Sequence, residues 1–334
     1  MQLRLYRNDY HQVCSLSVQL SHWLERRLGI DVTSWPNMNN KMYPNTFIIG
    51  APKCGTTSLA RWLSGHPDVF MSNPKEPYYF CRPSLQIGGV HTREQYAAIF
   101  SRASDERIIA EATTATIYDE QALANVSDFA PDARIVVMVR NPLELAPSWH
   151  GENVRQLRED IADFAVAWAA MAERRAGRSV PKDCRDPMML DYQRIASLGT
   201  QLERVYAMFP ASQVYVGFLD DFVSDARFAW LRLLAFLNIA DDGRTEFPTE
   251  NIGYMPANLL AYRVIRKLTR AAKRALHVKA ETGIVEKITW TLRQRVARSP
   301  ITSGLSSEMH EVLDPEIARL ERLTGRDLSH WRSA

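Results

Sequence analysis

Residues 46–58 read Thr46-Phe47-Ile48-Ile49-Gly50-Ala51-Pro52-Lys53-Cys54-Gly55-Thr56-Thr57-Ser58. The apolar run up to Gly50 predicts a buried strand. Leu59, Trp62 and Leu63 then supply the inner face of a helix that begins at Thr57. A glycine-containing loop between a strand and a helix presents backbone N–H groups to an anion at the positive end of the helix dipole. Gly50 and Gly55 have the spacing of a Walker A loop, G-x-x-x-x-G-K-[ST]. Thr56, however, holds the position of the Walker lysine, and the lysine of this loop is Lys53.

Working outward, a second buried strand is predicted over Arg134–Arg140 and a third over Gln213–Phe218. Helical spacing runs through Phe164–Arg175, Ile195–Phe209, Phe228–Leu237 and Pro256–Leu276. Apolar strands alternating with helices predict an α/β fold, a P-loop-type parallel sheet flanked by helices on both faces. Residues 1–44 form a lead segment, helical where Leu16, Leu20, Trp23, Leu24 and Leu28 recur, and 45–334 form a single domain. The second strand ends in Arg140-Asn141-Pro142. In a P-loop nucleoside triphosphatase such a strand often ends in an acid that helps hold magnesium, so a cation here predicts a phosphate-rich nucleotide handled without a metal. A Gly-Thr-Thr after a strand is also a common helix cap, and a lone arginine is a common surface residue. The placement of Lys53 and Arg140 at the carboxyl ends of two predicted strands, where ligands of open α/β sheets bind, favours the functional reading.

Composition narrows the classes. The chain has 334 residues and a formal net charge of +3, too small a charge to argue for nucleic acid. Cys14, Cys54, Cys81 and Cys184 form no CxxC pair, so neither a zinc site nor a disulfide framework is expected, and a reducing compartment is the simpler reading. No apolar run is long enough to span a bilayer, and the N-terminus lacks a signal-peptide pattern. A cytoplasmic protein is expected, with contact to a membrane surface left open.

The chain resembles the sulfotransferases that use 3′-phosphoadenosine-5′-phosphosulfate (PAPS), in the branch of bacterial and heparan-sulfate-type carbohydrate enzymes. The resemblance rests on Pro52-Lys53-x-Gly55-Thr56-Thr57-Ser58-Leu59, on Val139-Arg140-Asn141-Pro142 with Ser148-Trp149, and on His66-Pro67-Asp68-Val69. It rests also on Lys75-Glu76-Pro77-Tyr78-Tyr79-Phe80, and on Leu320-Glu321 with Gly325-Arg326-Asp327-Leu328-Ser329-His330-Trp331. It implies that Lys53 neutralises charge at the bridging oxygen and that Gly55, Thr56, Thr57 and Ser58 cradle the 5′-phosphate. It implies further that Arg140 and Ser148 hold the 3′-phosphate, that PAPS is the co-substrate and 3′,5′-diphosphoadenosine (PAP) the product, and that no metal takes part. Glu76 becomes the candidate general base, desolvated by Tyr78, Tyr79 and Phe80. Related phenol and steroid enzymes use a histidine; here His91 and His150 are the alternatives, without a matching motif. Glu111, in Glu111-Ala-Thr113-Thr114-Ala-Thr116-Ile-Tyr118, is expected to orient Lys53 or touch the acceptor. The Lys-Gly-Arg run of the heparan-type enzymes is missing, and Arg298-Ser299-Pro300 stands in the equivalent place, which makes Arg298 a candidate donor contact.

Between residues 255 and 298 eleven lysines and arginines face only Glu281 and Glu286. Three readings stay open for this basic segment: a solvated face, a lure for an anionic cofactor or glycan, or a rest on an anionic membrane. The resemblance favours an acceptor hydroxyl, or amine, on a carbohydrate, glycolipid or polysaccharide. The alternatives are a small phenolic or lipid metabolite, a non-catalytic nucleotide-binding protein, and a P-loop kinase.

Overall fold

A computed structural model describes residues 43–86, 90–249 and 302–332, with 255–256, 264 and 293–294. The predicted lead helix, nearly all of the basic segment and Arg298 lie outside the described residues.

Five strands, β1 (Thr46–Gly50), β2 (Val69–Met71), β3 (Ile108–Ala112), β4 (Arg134–Val139) and β5 (Val214–Phe218), form a sheet in the order β2-β3-β1-β4-β5. Every neighbouring pair is parallel. All residues of β1 and β3 are buried, as a strand covered on both faces requires. Between the strands run α1 (Thr56–Ser64), α2 (Arg93–Ile99), α3 (Glu120–Phe129), α4 (Pro142–Arg155), α5 (Phe164–Ala169), α6 (Met171–Arg175), α7 (Tyr192–Ala196) and α8 (Leu198–Met208). After β5 come α9 (Leu219–Ser224), α10 (Ala226–Leu237) and α11 (Ser303–Thr324); Met255–Pro256 and Arg293–Gln294 form a separate antiparallel pair.

The chain leaves β1 toward one edge of the sheet and returns from β3 across β1 to β4. Right-handed crossovers therefore place α1 on one face and α3 on the other. The first face is completed by α9 and α10, where Trp62 meets Phe222 and His66 meets Trp230 at ring separations of 5.9 and 6.3 Å. On the second face α8 packs along α11, and Gly199 permits the approach, since a Cβ there would stand 2.5 Å from the Glu316 carbonyl oxygen.

The strands predicted at residues 46–50, 134–140 and 213–218 are β1, β4 and β5. The helix predicted over 164–175 is two helices meeting at Ala170. The C-terminal residues of the family resemblance fasten the ends of β4 and β5. Asn141 Nδ2 donates to the Trp331 carbonyl at 3.0 Å, Trp331 Nε1 donates to Asp220 at 2.6 Å, and Arg326 grips Asp221 through two hydrogen bonds of 2.5 and 2.6 Å.

The end of β1 is tied to both neighbours. Ala51 N donates to the Met138 carbonyl at 2.7 Å, and Ile117 N donates to the Ile49 carbonyl at 2.9 Å. Between these bonds Gly50 has φ +150°, and a Cβ there would lie 2.5 Å from Ile117 Cγ2. Gly50→Ala is thus expected to cost about 1–3 kcal/mol of stability through overpacking, seen as a lower midpoint of urea denaturation; an unchanged midpoint would show that the contact is not tight.

Candidate active site

The reversal of chain direction about β1 opens a crevice at the carboxyl ends of the strands, and the predicted site residues gather at that edge. Lys53 follows β1, Glu76 follows β2, Glu111 and Thr113–Thr114 end β3, and Arg140 follows β4. Three of the loop positions are backbone exceptions: Lys53 (φ 63°), Glu76 (φ 63°) and Tyr78 (φ 56°) sit in the left-handed region that non-glycine residues seldom occupy. Such conformations persist only where surrounding contacts over-determine them, and they cluster at functional sites.

Gly55, at φ 83°, caps α1 without a side-chain hydrogen bond, and the first turn of α1 holds no acid. The opening N–H groups of a helix have no partner inside it, so Thr56, Thr57 and Ser58 direct their amides at the crevice. Cys54 lies beneath, fully buried, its thiol pushed up to about 12 chiefly by burial. It packs beneath the loop.

Arg140 binds the loop itself. Its Nη1 donates to the Lys53 carbonyl at 3.1 Å and its Nη2 to Glu144, while its Nε is buried with no partner among the described residues. Ser148 is half-buried one turn before Glu152 on α4; residues four apart share a helix face. Glu152 in turn meets Lys53, with Nζ and Oε2 3.2 Å apart. Glu152 also accepts hydrogen bonds from Arg155 and, at 3.0 Å, from Gln156. Burial alone would raise its carboxyl, but Lys53 and Arg155 outweigh burial and hold it well below the usual carboxylate range. Glu152 lies 99 residues from Lys53, with no motif around it to signal the pair.

Glu76 is fixed by its neighbours. Its backbone N–H donates to the Ala112 carbonyl at 2.9 Å, which adds the loop to the end of β3. Its carboxylate accepts from Lys75 Nζ at 2.8 Å and from Thr114 Oγ1 at 2.9 and 3.2 Å. Burial first, and then the charge of Glu76 and a hydrogen bond to it, push the Tyr78 phenol well above its ordinary 10.0. Tyr78 therefore stays a neutral donor beside the carboxylate.

Glu111 does not orient Lys53. It is buried and accepts from Tyr96 and from Thr113 Oγ1, the latter at 2.6 Å. The other expected candidates separate clearly. His150 is buried against Phe164 and Tyr192 with Nε2 on the Ile161 carbonyl, so its part is structural, and burial lowers its pKa. His91 is exposed, 3.3 Å from Gln86 Oε1. A cavity of about 370 Å³ beside α7 and α8 is lined by Tyr118, Arg175, Arg194 and Arg204 among others; Lys53, Glu76 and Arg140 do not line it.

A parallel sheet whose chain reverses about β1 thus carries a loop of helix-start amides after β1 and a cation after β4, both at the carboxyl ends of the strands. Comparison with known proteins places this arrangement in a family. The sulfotransferase family matches residues 44–241, more than half of the chain, and the chain belongs to that family. A sulfotransferase from Alicyclobacillus acidocaldarius has a solved structure that superposes with a TM-score of 0.65 at 25% identity, covering 87% of this chain and 99% of that one. Heparan sulfate glucosamine 3-O-sulfotransferase 6 of Mus musculus is 27% identical over 157 residues, 44% of each chain. Carbohydrate sulfotransferase 15 of Homo sapiens is 26% identical over 256 residues, 59% of this chain and 44% of that one. The chain thus spans less than half the length of these two curated relatives.

Burial raises the Glu111 carboxyl from 4.5 to about 7, against the lowering effect of the Thr113 and Tyr96 hydrogen bonds. The sign of the consequence follows from proton counts. Between these values the folded chain holds a proton that the unfolded chain has released, so stability falls as pH rises through the window and levels off above it. The full fall is on the order of 3 kcal/mol. Glu111→Gln should flatten that part of the curve of unfolding free energy against pH; a slope equal to the wild type's would place the titration elsewhere.

Proposed function

We propose that this sulfotransferase takes its sulfuryl group from PAPS and passes it to a hydroxyl, or an amine, of a carbohydrate acceptor by in-line displacement, with Glu76 as the base. The observation that carries the donor assignment is the Arg140 side chain. It is anchored on the Lys53 carbonyl, yet keeps a buried Nε without a partner among the described residues, and a buried guanidinium nitrogen left in that state calls for an anion.

PAPS supplies the sulfuryl group, joined through oxygen to its 5′-phosphate. The Gly55–Ser58 amides and the hydroxyls of Thr56, Thr57 and Ser58 receive the 5′-phosphate end, and Arg140 with Ser148 receives the 3′-phosphate. Lys53 exchanges Glu152 for the bridging oxygen and neutralises the charge that the leaving phosphate gains when the sulfur–oxygen bond breaks. Glu76 accepts the proton of the acceptor hydroxyl as the new oxygen–sulfur bond forms. Thr114 and Lys75 hold the carboxylate in place, and the positive φ of Glu76 aims it. Both phosphate subsites are made of protein cations and amides, so the reaction is assigned no metal. Residues 45–334 act as one catalytic domain in this reading. The carbohydrate acceptor is supported by the relatives' names, and the choice among saccharide, glycolipid and polysaccharide is left to an acceptor screen.

Calorimetry should show PAP binding unaffected by EDTA and tighter than ATP binding. Arg140→Ala should weaken PAP by about tenfold to a hundredfold, the worth of a charge-assisted hydrogen bond of about 1.5–3 kcal/mol. Metal-dependent binding, ATP binding of equal strength, or an unchanged dissociation constant in the variant would contradict the donor assignment.

Glu76→Gln conserves shape and should leave PAP affinity intact. In single-turnover transfer to a hydroxyl acceptor at saturating donor it should be slower by ~10²–10⁴-fold. Transfer at the wild-type rate would remove Glu76 from the role of base.

A further inference from the structure

Glu111 is an acid buried inside the sheet, and the proposed reaction gives it no part. A carboxyl 2% exposed on a strand of otherwise apolar residues is costly to keep. Its two oxygens are met by two hydroxyls: Tyr96 Oη donates to one and Thr113 Oγ1 to the other, the latter at 2.6 Å. Two donated hydrogen bonds suit the carboxylate. In the acid form the proton of Glu111 itself takes the place of one of them.

Both hydroxyls lead to Glu76. Thr113 is followed by Thr114, whose Oγ1 donates to the Glu76 carboxylate at 2.9 and 3.2 Å and whose N–H donates to it at 3.4 Å. The Ala112 carbonyl, between Glu111 and Thr113, accepts the Glu76 N–H at 2.9 Å. Tyr96, fully buried, holds the residues that follow Glu76. Tyr79 stacks on its ring with centroids 4.3 Å apart and planes 14° apart, and Phe80 meets the ring edge-on at 5.2 Å. The loop that carries Glu76 is therefore fastened at two points by groups that Glu111 itself fastens. That loop has positive φ at Glu76 and at Tyr78, and such conformations persist only where contacts of this kind over-determine them. A change at Glu111 reaches the loop through one neighbouring residue on the strand side and through one ring on the α2 side.

We infer that Glu111 is a positioning residue for the reaction: through Thr113 and Tyr96 it locks the loop that aims Glu76, and the lock closes when Glu111 is ionised. The inference rests on the reading of Glu76 as the base. The titratable groups that act on Glu111 or feel it are Tyr96 of α2, and Glu76 and Cys81 of the loop after β2, with Tyr79 stacked on Tyr96; β1 sets Phe47 opposite it. Burial raises the two phenols and the thiol and keeps them neutral, so the two carboxyls are the groups that change charge there. Burial also raises the Glu111 carboxyl to about 7, against the Thr113 and Tyr96 hydrogen bonds. The lock thus closes as pH rises through that value.

The test follows single-turnover loss of label from radiolabelled PAPS against pH, with the full chain at saturating donor. The acceptor is methyl glucoside, a neutral hydroxyl whose own titration does not enter, or water alone. The wild-type rate should rise through about pH 7. Glu111→Gln, whose amide offers one acceptor oxygen in place of two, should be slower above that pH by about twofold to tenfold, the worth of one hydrogen bond. Its profile should be flat through pH 7, with PAP affinity unchanged. Tyr96→Phe keeps the ring and its stacking and removes the hydroxyl. It should move the rise upward by about 1–2 pH units, because a carboxylate that loses a donor holds its proton more tightly. A Glu111→Gln profile that still rises through pH 7, or a Tyr96→Phe profile that superposes on the wild type's, would overturn the inference; if Glu111→Gln does not fold, Tyr96→Phe decides. Glu76→Gln turning over at the wild-type rate, or no turnover with either acceptor by a wild type that binds PAP, would instead overturn the base reading, and this inference with it.

Discussion

The hydrogen bond from Arg140 to the Lys53 carbonyl is the constraint on which the site depends. It joins the residue that follows β4 to the loop that follows β1, and a charge-assisted bond of this kind is worth about 1.5–3 kcal/mol. Lys53 has φ 63°, a conformation an L-residue adopts at a cost. The guanidinium offsets that cost from one side, and the Ala51–Met138 backbone bond offsets it from the other. The loop can then turn its amides to the crevice while Lys53 projects its side chain across to α4. The same guanidinium keeps one nitrogen without a partner among the described residues, so in the proposed reading the residue that shapes the loop also meets the ligand.

Electrostatics along the crevice divides into two parts. At α4, Lys53 is held by an acid, Glu152, that stays ionised and is itself retained by Arg155 and Gln156. In the proposed reaction Lys53 can leave without stranding Glu152, which keeps its other partners. At the end of β3 the carboxyl groups are held by threonines. Thr113 turns to the buried Glu111 and Thr114 turns to Glu76, so adjacent threonines serve two carboxyl groups in opposite directions. Glu111, desolvated and bonded to Tyr96, belongs to the framework. Glu76, partly exposed, is the carboxylate proposed as the base.

Much of this was legible in the amino-acid order because β1, β4 and β5 are short, continuous apolar runs and because the loop between Gly50 and Gly55 carries its own punctuation. The strands β2 and β3 were harder. Val69–Met71 has three residues, too few for a pattern, and β3 interrupts its apolar run with Glu111, a charge whose burial is explained only by Tyr96 and Thr113 in the folded chain. The charged set was half visible. Lys53 and Arg140 stand at strand ends, where a linear reading looks for them. Glu152 sits in the last turn of α4, and its meaning comes from Lys53, which the fold brings opposite. The Glu111–Lys53 contact expected from the order of motifs is absent because α4 supplies a nearer acid. Gly325–Trp331 was a recognisable ending with no stated purpose, and its purpose is to clamp the carboxyl ends of β4 and β5 through Asn141, Asp220 and Asp221.

The most direct measurement is a crystal structure with PAP bound. The account predicts the 5′-phosphate on the amides of Gly55–Ser58 and the 3′-phosphate within hydrogen-bond distance of Arg140 Nε and Ser148, with Lys53 Nζ turned from Glu152 toward the 5′-phosphate. A nucleotide seated elsewhere, or one whose 3′-phosphate avoids Arg140 while Lys53 remains on Glu152, would contradict it.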